Sequence, residues 1–281
     1  MSNKLRYVEK VLLAFVAILI ILYATLPLIW VIICSLTTEI DLIKFSSNLE
    51  IPSKLTLDHF YTILTGIESE YAFKSLINSI IISFSTTFIS VAIGSLGGYV
   101  LARLMFPGRR KILFGIIVFQ TLPALVMLIP LYIMIRSLGL LDTLIGVILV
   151  EVGFNAPYVA WLLIGFLQGI PMDIEDAALT DGCNRVQALI KVLLPLIIPG
   201  VLAVSIFTFL TSWGDLLIPL ILTSTNATTL PMVIAQGLGE YYARYGFMSA
   251  LSVVAIIPPT ILIIVFQKYI IKGLTMGGVK G

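Results

Sequence analysis

The residues with the most to offer chemically form one polar island, 172–199, reading MDIEDAALTDGCNRVQALIKVLLPLIIP between two long apolar runs. The pattern predicts a short helix followed by a turn. Asp173 is placed to cap the helix, and Glu175 and Asp176 put negative charge in its first turn, where the helix dipole is positive. Gly182 can take the left-handed conformation that stops it. Ile174, Ala177 and Ala178 then share a face small enough to press against another surface. The chemistry on offer is recognition, at a water boundary where another molecule docks. An ordinary connecting loop is the plainer alternative.

Other polar residues stand within apolar runs: Gln120, Glu151, Asn155 and Asp215. A carboxylate is expensive in hydrocarbon, so Glu151 must face protein or water. It fits two roles, lining a path for hydroxyl-rich solutes or making a buried hydrogen bond that locks two helices. Gln120, Tyr132 and Asp215 join it as candidates for the path, whereas Asn155 reads as a lock. Tyr132 and Trp213 offer rings on which a sugar can stack, with anchoring at the membrane boundary as the other role for Trp213. Bond-making chemistry has little support. No G-x-x-x-x-G-K-[ST] motif is present to cradle ATP, and the single histidine, His59, excludes an H-E-x-x-H zinc site. No Ser-His-Asp arrangement is credible, so the chain is expected to be no enzyme and to hold no metal.

What must position these residues is a set of membrane helices. With 59% hydrophobic and 11% charged residues and a mean hydropathy of +1.10, the 281-residue chain is far too apolar for a soluble domain. Six windows, 11–35, 73–101, 112–135, 143–168, 197–222 and 250–270, are long enough to cross a hydrocarbon core of roughly 30 Å. The first is too long for a signal-peptide core and lacks a small-x-small cleavage site, so it reads as a retained anchor. Lys and Arg set the orientation. Inner segments hold 12 of the 17, including Lys4, Arg103, Arg109, Arg110, Lys111, Arg185 and Lys191, while Lys44, Lys54, Lys74, Arg136 and Arg244 fall outside. Both termini and the 173–195 loop are therefore expected in the cytoplasm. The 223–247 segment, with Thr225, Asn226, Gln236 and Tyr241, is expected outside. Gly94 and Gly98 form a GxxxG that favours close helix packing. Pro123, Pro130, Pro157, Pro199, Pro219, Pro258 and Pro259 lie in or beside spans and can kink them. Cys34, in the first span, and Cys183, in the inner loop, are not placed for a disulfide.

The island also carries a resemblance. Asp176-Ala177-Ala178, Leu179-Thr180, Asp181-Gly182 and, after a spacer, Leu194-Pro195 are similar to the EAA loop of ABC importer permeases. Asp176 stands for the leading Glu, with Glu175 beside it. Ile129-Pro130-Leu131-Tyr132, the run LGLLDT from Leu138 to Thr143, Thr229-Leu230-Pro231 and the ending GLTMGGVKG resemble sugar permeases of the maltose type. The likeness extends from about Asn78 to the C-terminus.

That resemblance implies a type I importer fold, all-α, with six spans in one transmembrane domain over 1–281 and a coupling loop at 172–196. It implies a second homologous permease, two ATPase subunits that bind the ATP and Mg, an extracellular sugar-binding protein, and no nucleic acid. Glu175, Asp176, Ala177, Ala178, Asp181, Gly182, Leu194 and Pro195 would then meet a groove on the ATPase. Leu274, Thr275, Gly277, Gly278 and Lys280 belong to a glycine-rich tail, read as open chain able to insert between the ATPase subunits. A permease for a non-sugar solute, a secondary transporter and a multi-pass membrane enzyme remain as alternatives.

Overall fold

A chain this apolar must satisfy its backbone N–H and C=O groups within itself, and helices do so without edges. The computed structural model describes residues 3–48, 54–66, 69–237 and 244–278, and within them the regular elements are helical. In order they are α1 (Asn3–Ser35), α2 (Glu39–Asn48), α3 (Asp58–Thr65), α4 (Ser69–Arg103), α5 (Arg109–Thr121), α6 (Ala124–Ser137) and α7 (Leu144–Gln168). There follow α8 (Met172–Thr180), α9 (Arg185–Ala188), a π-helical turn (Leu189–Leu193), α10 (Leu194–Leu196), α11 (Ile198–Trp213), α12 (Leu217–Leu222), α13 (Leu230–Gln236) and α14 (Tyr245–Gly278).

Four helices, α1, α4, α7 and α14, are long and apolar enough to cross a membrane, and the number is six if each of two bent pairs is one span. One such pair is α5 with α6, bent by 98° where Pro123 (φ −60°, ψ 123°) leaves Leu122 extended. The stretch 112–135, read as a single window in the sequence, is thus broken in its middle. The other pair meets at Ile197 (φ −105°, ψ 18°), where the run from Arg185 to Leu196 turns 88° into α11. The window 197–222 likewise divides into α11 and α12, with Gly214 and Asp215 between them. Pro157 leaves α7 a single helix. The tail also differs from expectation, because α14 continues through Gly278. A helix already nucleated over a long apolar run extends at only about 1 kcal/mol per glycine.

The chain divides into two compact units. One comprises residues 1–73 with 234–256. The apolar window of α1 is uncovered by the rest of the chain, so its surface is suited to lipid or to another membrane chain. Here Glu39 Oε1 accepts the N–H groups of Gly246 and Phe247 at 3.0 and 3.2 Å, capping the start of α14. His59 Nε2 donates to Thr37 O at 2.9 Å, close to the isolated Thr37–Leu55 bridge.

The second unit, 74–233 with 257–281, contains two apolar clusters built on α7. Tyr99, Val159, Leu163 and Leu167 pack with Leu189, Leu193, Ile197 and Val204, which ties α4, α7, the π-turn and α11 together. Ile82, Leu128, Ile135, Val147, Val150, Ile218 and Leu222 join α4, α6, α7 and α12. Glycine lets α4 approach α7. A Cβ at Gly94 would lie 2.6 Å from Val159 Cγ1, and one at Gly98 would lie 2.9 Å from Ala160 O. The GxxxG therefore packs its own chain.

These distances set the sign of a substitution. Gly115, exposed in α5, has nothing within 4 Å of an added Cβ, so Gly115→Ala should stabilise its helix by about 0.5–1 kcal/mol. Gly94→Ala gains the same propensity but must push Val159 aside, and overpacking at about 1–3 kcal/mol wins. Thermal unfolding of the purified variants in one detergent checks this: equal midpoints would mean that the α4–α7 contact is not tight.

Candidate functional site

The polar island is built as a helix with two different sides. Pro171 (φ −55°, ψ 144°) precedes α8 as its N-cap. Asp173 sits inside the first turn rather than capping it, because proline at 171 already fixes where the helix begins. The C-terminal end has the bonding of a Schellman stop: Cys183 N–H donates to Ala178 O at 3.1 Å and Gly182 N–H to Leu179 O at 3.1 Å, with Gly182 at φ 90°. Asn184 then opens α9 through a reciprocal capping box with Gln187, both bonds 2.9 Å.

Glu175 and Ala178 face inward, at 1% and 7% exposure. The Glu175 carboxylate collects Tyr99 Oη, which donates to Oε1 at 2.5 Å, and two cations, Arg103 Nε at 3.5 Å from Oε2 and Arg185 Nη1 at 3.7 Å from Oε1. These two separations make ion pairs, not hydrogen bonds. Arg103 also donates from Nη2 to Ile170 O at 2.9 Å, so one guanidinium grips both the entry to α8 and its buried acid. Arg103 is as deeply buried as Glu175, while the Arg185 side chain is mostly exposed. The carboxylate thus joins α8 to the end of α4.

The outward side carries Asp173, Ile174, Asp176, Ala177, Asp181 and Gly182, all exposed. Ala178 was expected on a docking face with Ala177. The structure turns it into the chain's own packing, because one helical step separates the two positions. A Cβ at Gly182 would meet nothing within 4 Å. Past α9, Leu194 is half-buried against the α4–α7 cluster and Pro195 is exposed. Leu189, Ile190 and Leu194 line an apolar groove of about 640 Å³ together with Phe84, Phe88 and Val91 of α4.

The polar residues at depth have separate tasks. Glu151, 1% exposed, accepts Thr86 Oγ1 at 3.0 Å and the hydroxyl of Ser212, joining α7 to α4 and α11. Asn155 Nδ2 donates to Glu151 O at 2.9 Å, and Thr211 Oγ1 donates to Asn155 Oδ1 at 3.2 Å. Both residues thus bond within the chain, while Glu151 Oε1 is buried without a hydrogen-bond partner among the described residues. Gln120 is exposed and donates to Phe154 O at 3.3 Å. Tyr132 is half-buried against the second cluster. Asp215 Oδ1 accepts Leu217 N–H at 2.9 Å at the start of α12. Trp213 is 6% exposed and stacks on Phe209 at 5.7 Å, so its ring is packing in the chain and not an anchor at the boundary.

Leu274, Thr275, Gly277 and Gly278 lie in the last turns of α14, and Tyr241 and Lys280 lie outside the described residues. Tyr99, Arg103, Arg185, Thr86 and Ser212 were not singled out as site residues from the sequence. The usable signal was Tyr99 and Arg103 themselves, spaced i, i+4 directly after the GxxxG, on a face already bound to approach a neighbour.

Several helices are long and apolar enough to cross a membrane, and a short polar helix, α8, follows directly on the end of α7. Residues 94–276 match the model of the binding-protein-dependent transport system inner membrane component, and the chain belongs to that family. Its relatives include the trehalose transport system permease protein of Mycobacterium tuberculosis, 36% identical over 94% of this chain and 95% of that protein. The sulfoquinovosyl glycerol transport system permease protein of Agrobacterium fabrum is also 36% identical, over 96% and 94%. In fold, the chain is similar to one from the crystal structure of a bacterial ABC transporter involved in import of the acidic polysaccharide alginate, with a TM-score of 0.76, 22% identity, and 96% and 98% coverage.

The island's geometry ranks its charges. Glu175→Ala leaves Arg103 buried without its counter-charge and should destabilise the protein by about 3–5 kcal/mol. Arg185→Ala removes an exposed partner and should stay within about 1 kcal/mol. Equal losses in detergent unfolding would remove Arg103 as the main partner. For Glu151, the lock predicts that Glu151→Ala lowers stability by about 1–3 kcal/mol, with Glu151→Gln intermediate and uptake kinetics unchanged for whatever complex assembles. Reduced uptake at unaltered stability would return Glu151 to the solute path.

Proposed function

We propose that the chain is the permease subunit of an ATP-driven, binding-protein-dependent sugar importer, and that α8 is the surface on which a separate ATPase docks. The observation that carries this is the two-sidedness of the island: Glu175 fixes α8 to α4 from within, while Asp173, Asp176, Ala177 and Gly182 stand outward and exposed. A helix held this firmly transmits a push to the spans instead of yielding to it. The chain has no phosphate loop, which supports ATP and Mg bound in the ATPase and no catalytic role here. The excess of Lys and Arg on one set of segments supports cytoplasmic termini and a cytoplasmic island, with the 223–237 stretch outside.

Sugar as substrate is supported by the named relatives, which transport trehalose and sulfoquinovosyl glycerol. The apolar groove between α4 and the π-turn offers a face for a second permease. Coupling then works as a population shift. ATP-driven closure of the motor favours one arrangement of the spans only as far as the motor binds α8 more tightly in that arrangement.

Two variants test the docking. Ala177 is exposed, so Ala177→Trp adds bulk without a clash inside the chain. A Cβ at Gly182 would meet nothing within 4 Å, and Gly182→Asp costs about 1–2 kcal/mol for left-handed backbone, a conformation Asp tolerates. Both should insert normally yet co-purify with fewer ATPase subunits, or hydrolyse ATP without sugar uptake. Full ATPase stoichiometry with wild-type uptake in both variants would overturn the reading.

A further inference from the structure

Asp142, in the turn between α6 and α7, is the one non-glycine residue with positive φ among those described, at φ 55°. A β-carbon disfavours that conformation, and it persists where surrounding structure over-determines it. The structure here is a ring of donors from a segment far along the chain. Asp142 Oδ1 accepts the N–H groups of Ser224, Thr225, Asn226 and Ala227 at 2.9, 3.1, 2.9 and 3.2 Å. Oδ2 accepts Asn226 N–H at 3.1 Å, Thr225 Oγ1 at 3.0 Å and Asn226 Nδ2 at 3.0 Å. The Asp142 N–H completes the tie by donating to Leu222 O at 2.8 Å.

Four successive N–H groups aimed at one anion form a nest, and here the anion is the protein's own side chain. The turn is held from α4 as well. Asn78 Nδ2 donates to Asn226 O at 3.0 Å and Thr228 O at 2.9 Å, and Ser79 Oγ accepts Leu230 N–H at 2.8 Å. Ser224, Thr225 and Asn226 nonetheless remain exposed. Burial alone would raise the Asp142 carboxyl, but the N–H groups of Ser224, Ala227, Asn226 and Thr225 hold it well below the ordinary carboxylate range. A depressed folded-state value means the stabilisation is complete above the ordinary range and is lost only as pH falls below it. The tie stays closed in a mildly acidic exterior.

We infer that Asp142 is a positioning residue that preforms the 224–227 turn as a rigid ridge for the sugar-loaded binding protein, a role that rests on the function proposed above. The ridge presents the exposed Ser224, Thr225 and Asn226 to a polar partner surface, with Lys74 Nζ 3.5 Å from both Thr225 O and Asn226 Oδ1. A preformed ridge spares the complex the entropy of ordering a loop on contact, so Asp142 acts on affinity for the binding protein and not on turnover.

The test uses the whole complex in proteoliposomes, stimulated by its sugar-loaded binding protein. Asp142→Asn tolerates the left-handed backbone and keeps one acceptor oxygen, whereas Asp142→Gly keeps the backbone and loses every acceptor. The KM for binding protein should rise about threefold to tenfold in Asp142→Asn and further in Asp142→Gly. The ATPase rate at saturating binding protein should stay constant, and amides 224–227 should exchange hydrogen faster in the same order. A lower saturating rate and lower thermal midpoint with unchanged KM would overturn the proposal, as would unchanged exchange. A wild-type complex that no binding protein stimulates would overturn the functional reading, and this proposal with it.

Discussion

The close approach of α4 to α7 underlies nearly everything else in the larger unit. With no side chain at Gly94 and Gly98, the two backbones come near enough for Val159 and Ala160 to fill the space where a Cβ would stand. Higher on the same pair of helices that proximity places Thr86 against Glu151. Lower down it brings Tyr99 and Arg103 to Glu175. A polar bond in hydrocarbon is strong only if both partners are delivered to it by packing, and glycine is what allows the delivery here.

Charge is then used in two distinct ways. Inside, Glu151 and Glu175 each tie three segments together and are shielded from solvent. On the surface, Asp173, Asp176 and Asp181 are exposed and in no ion pair among the described residues, and so remain available to a partner. Neighbouring acids in one short helix thus have opposite fates, decided by a rotation of about 100° per residue.

Local features were the legible ones. The helix–turn character of the island, its glycine stop and the close packing at Gly94 and Gly98 follow from spacing and residue type within a turn or two. The sequence did not reveal that Ala178 turns inward while Ala177 does not, since both are small and either could line a docking face. Pairings distant along the chain were invisible for a different reason. Glu175 is 76 residues from Tyr99, and nothing in either segment names the other. Glu151 could be recognised as costly in lipid but not assigned, because its partners Thr86 and Ser212 are hydroxyls that a span can satisfy internally through its own carbonyls. The glycine-rich end misled, since composition there says open chain while the long helix before it keeps the backbone wound.

The division of α8 into an anchored side and a free side has a consequence for how such a protein changes over time. Mutations at Glu175 or Ala178 are constrained by the fold of the permease itself, whatever docks on the outward side. The outward positions carry no such debt to the interior, so on the docking proposed above they are free to drift in step with a partner's groove. A permease built this way can be matched to a different partner surface by altering a handful of outward residues, leaving its membrane interior as it was.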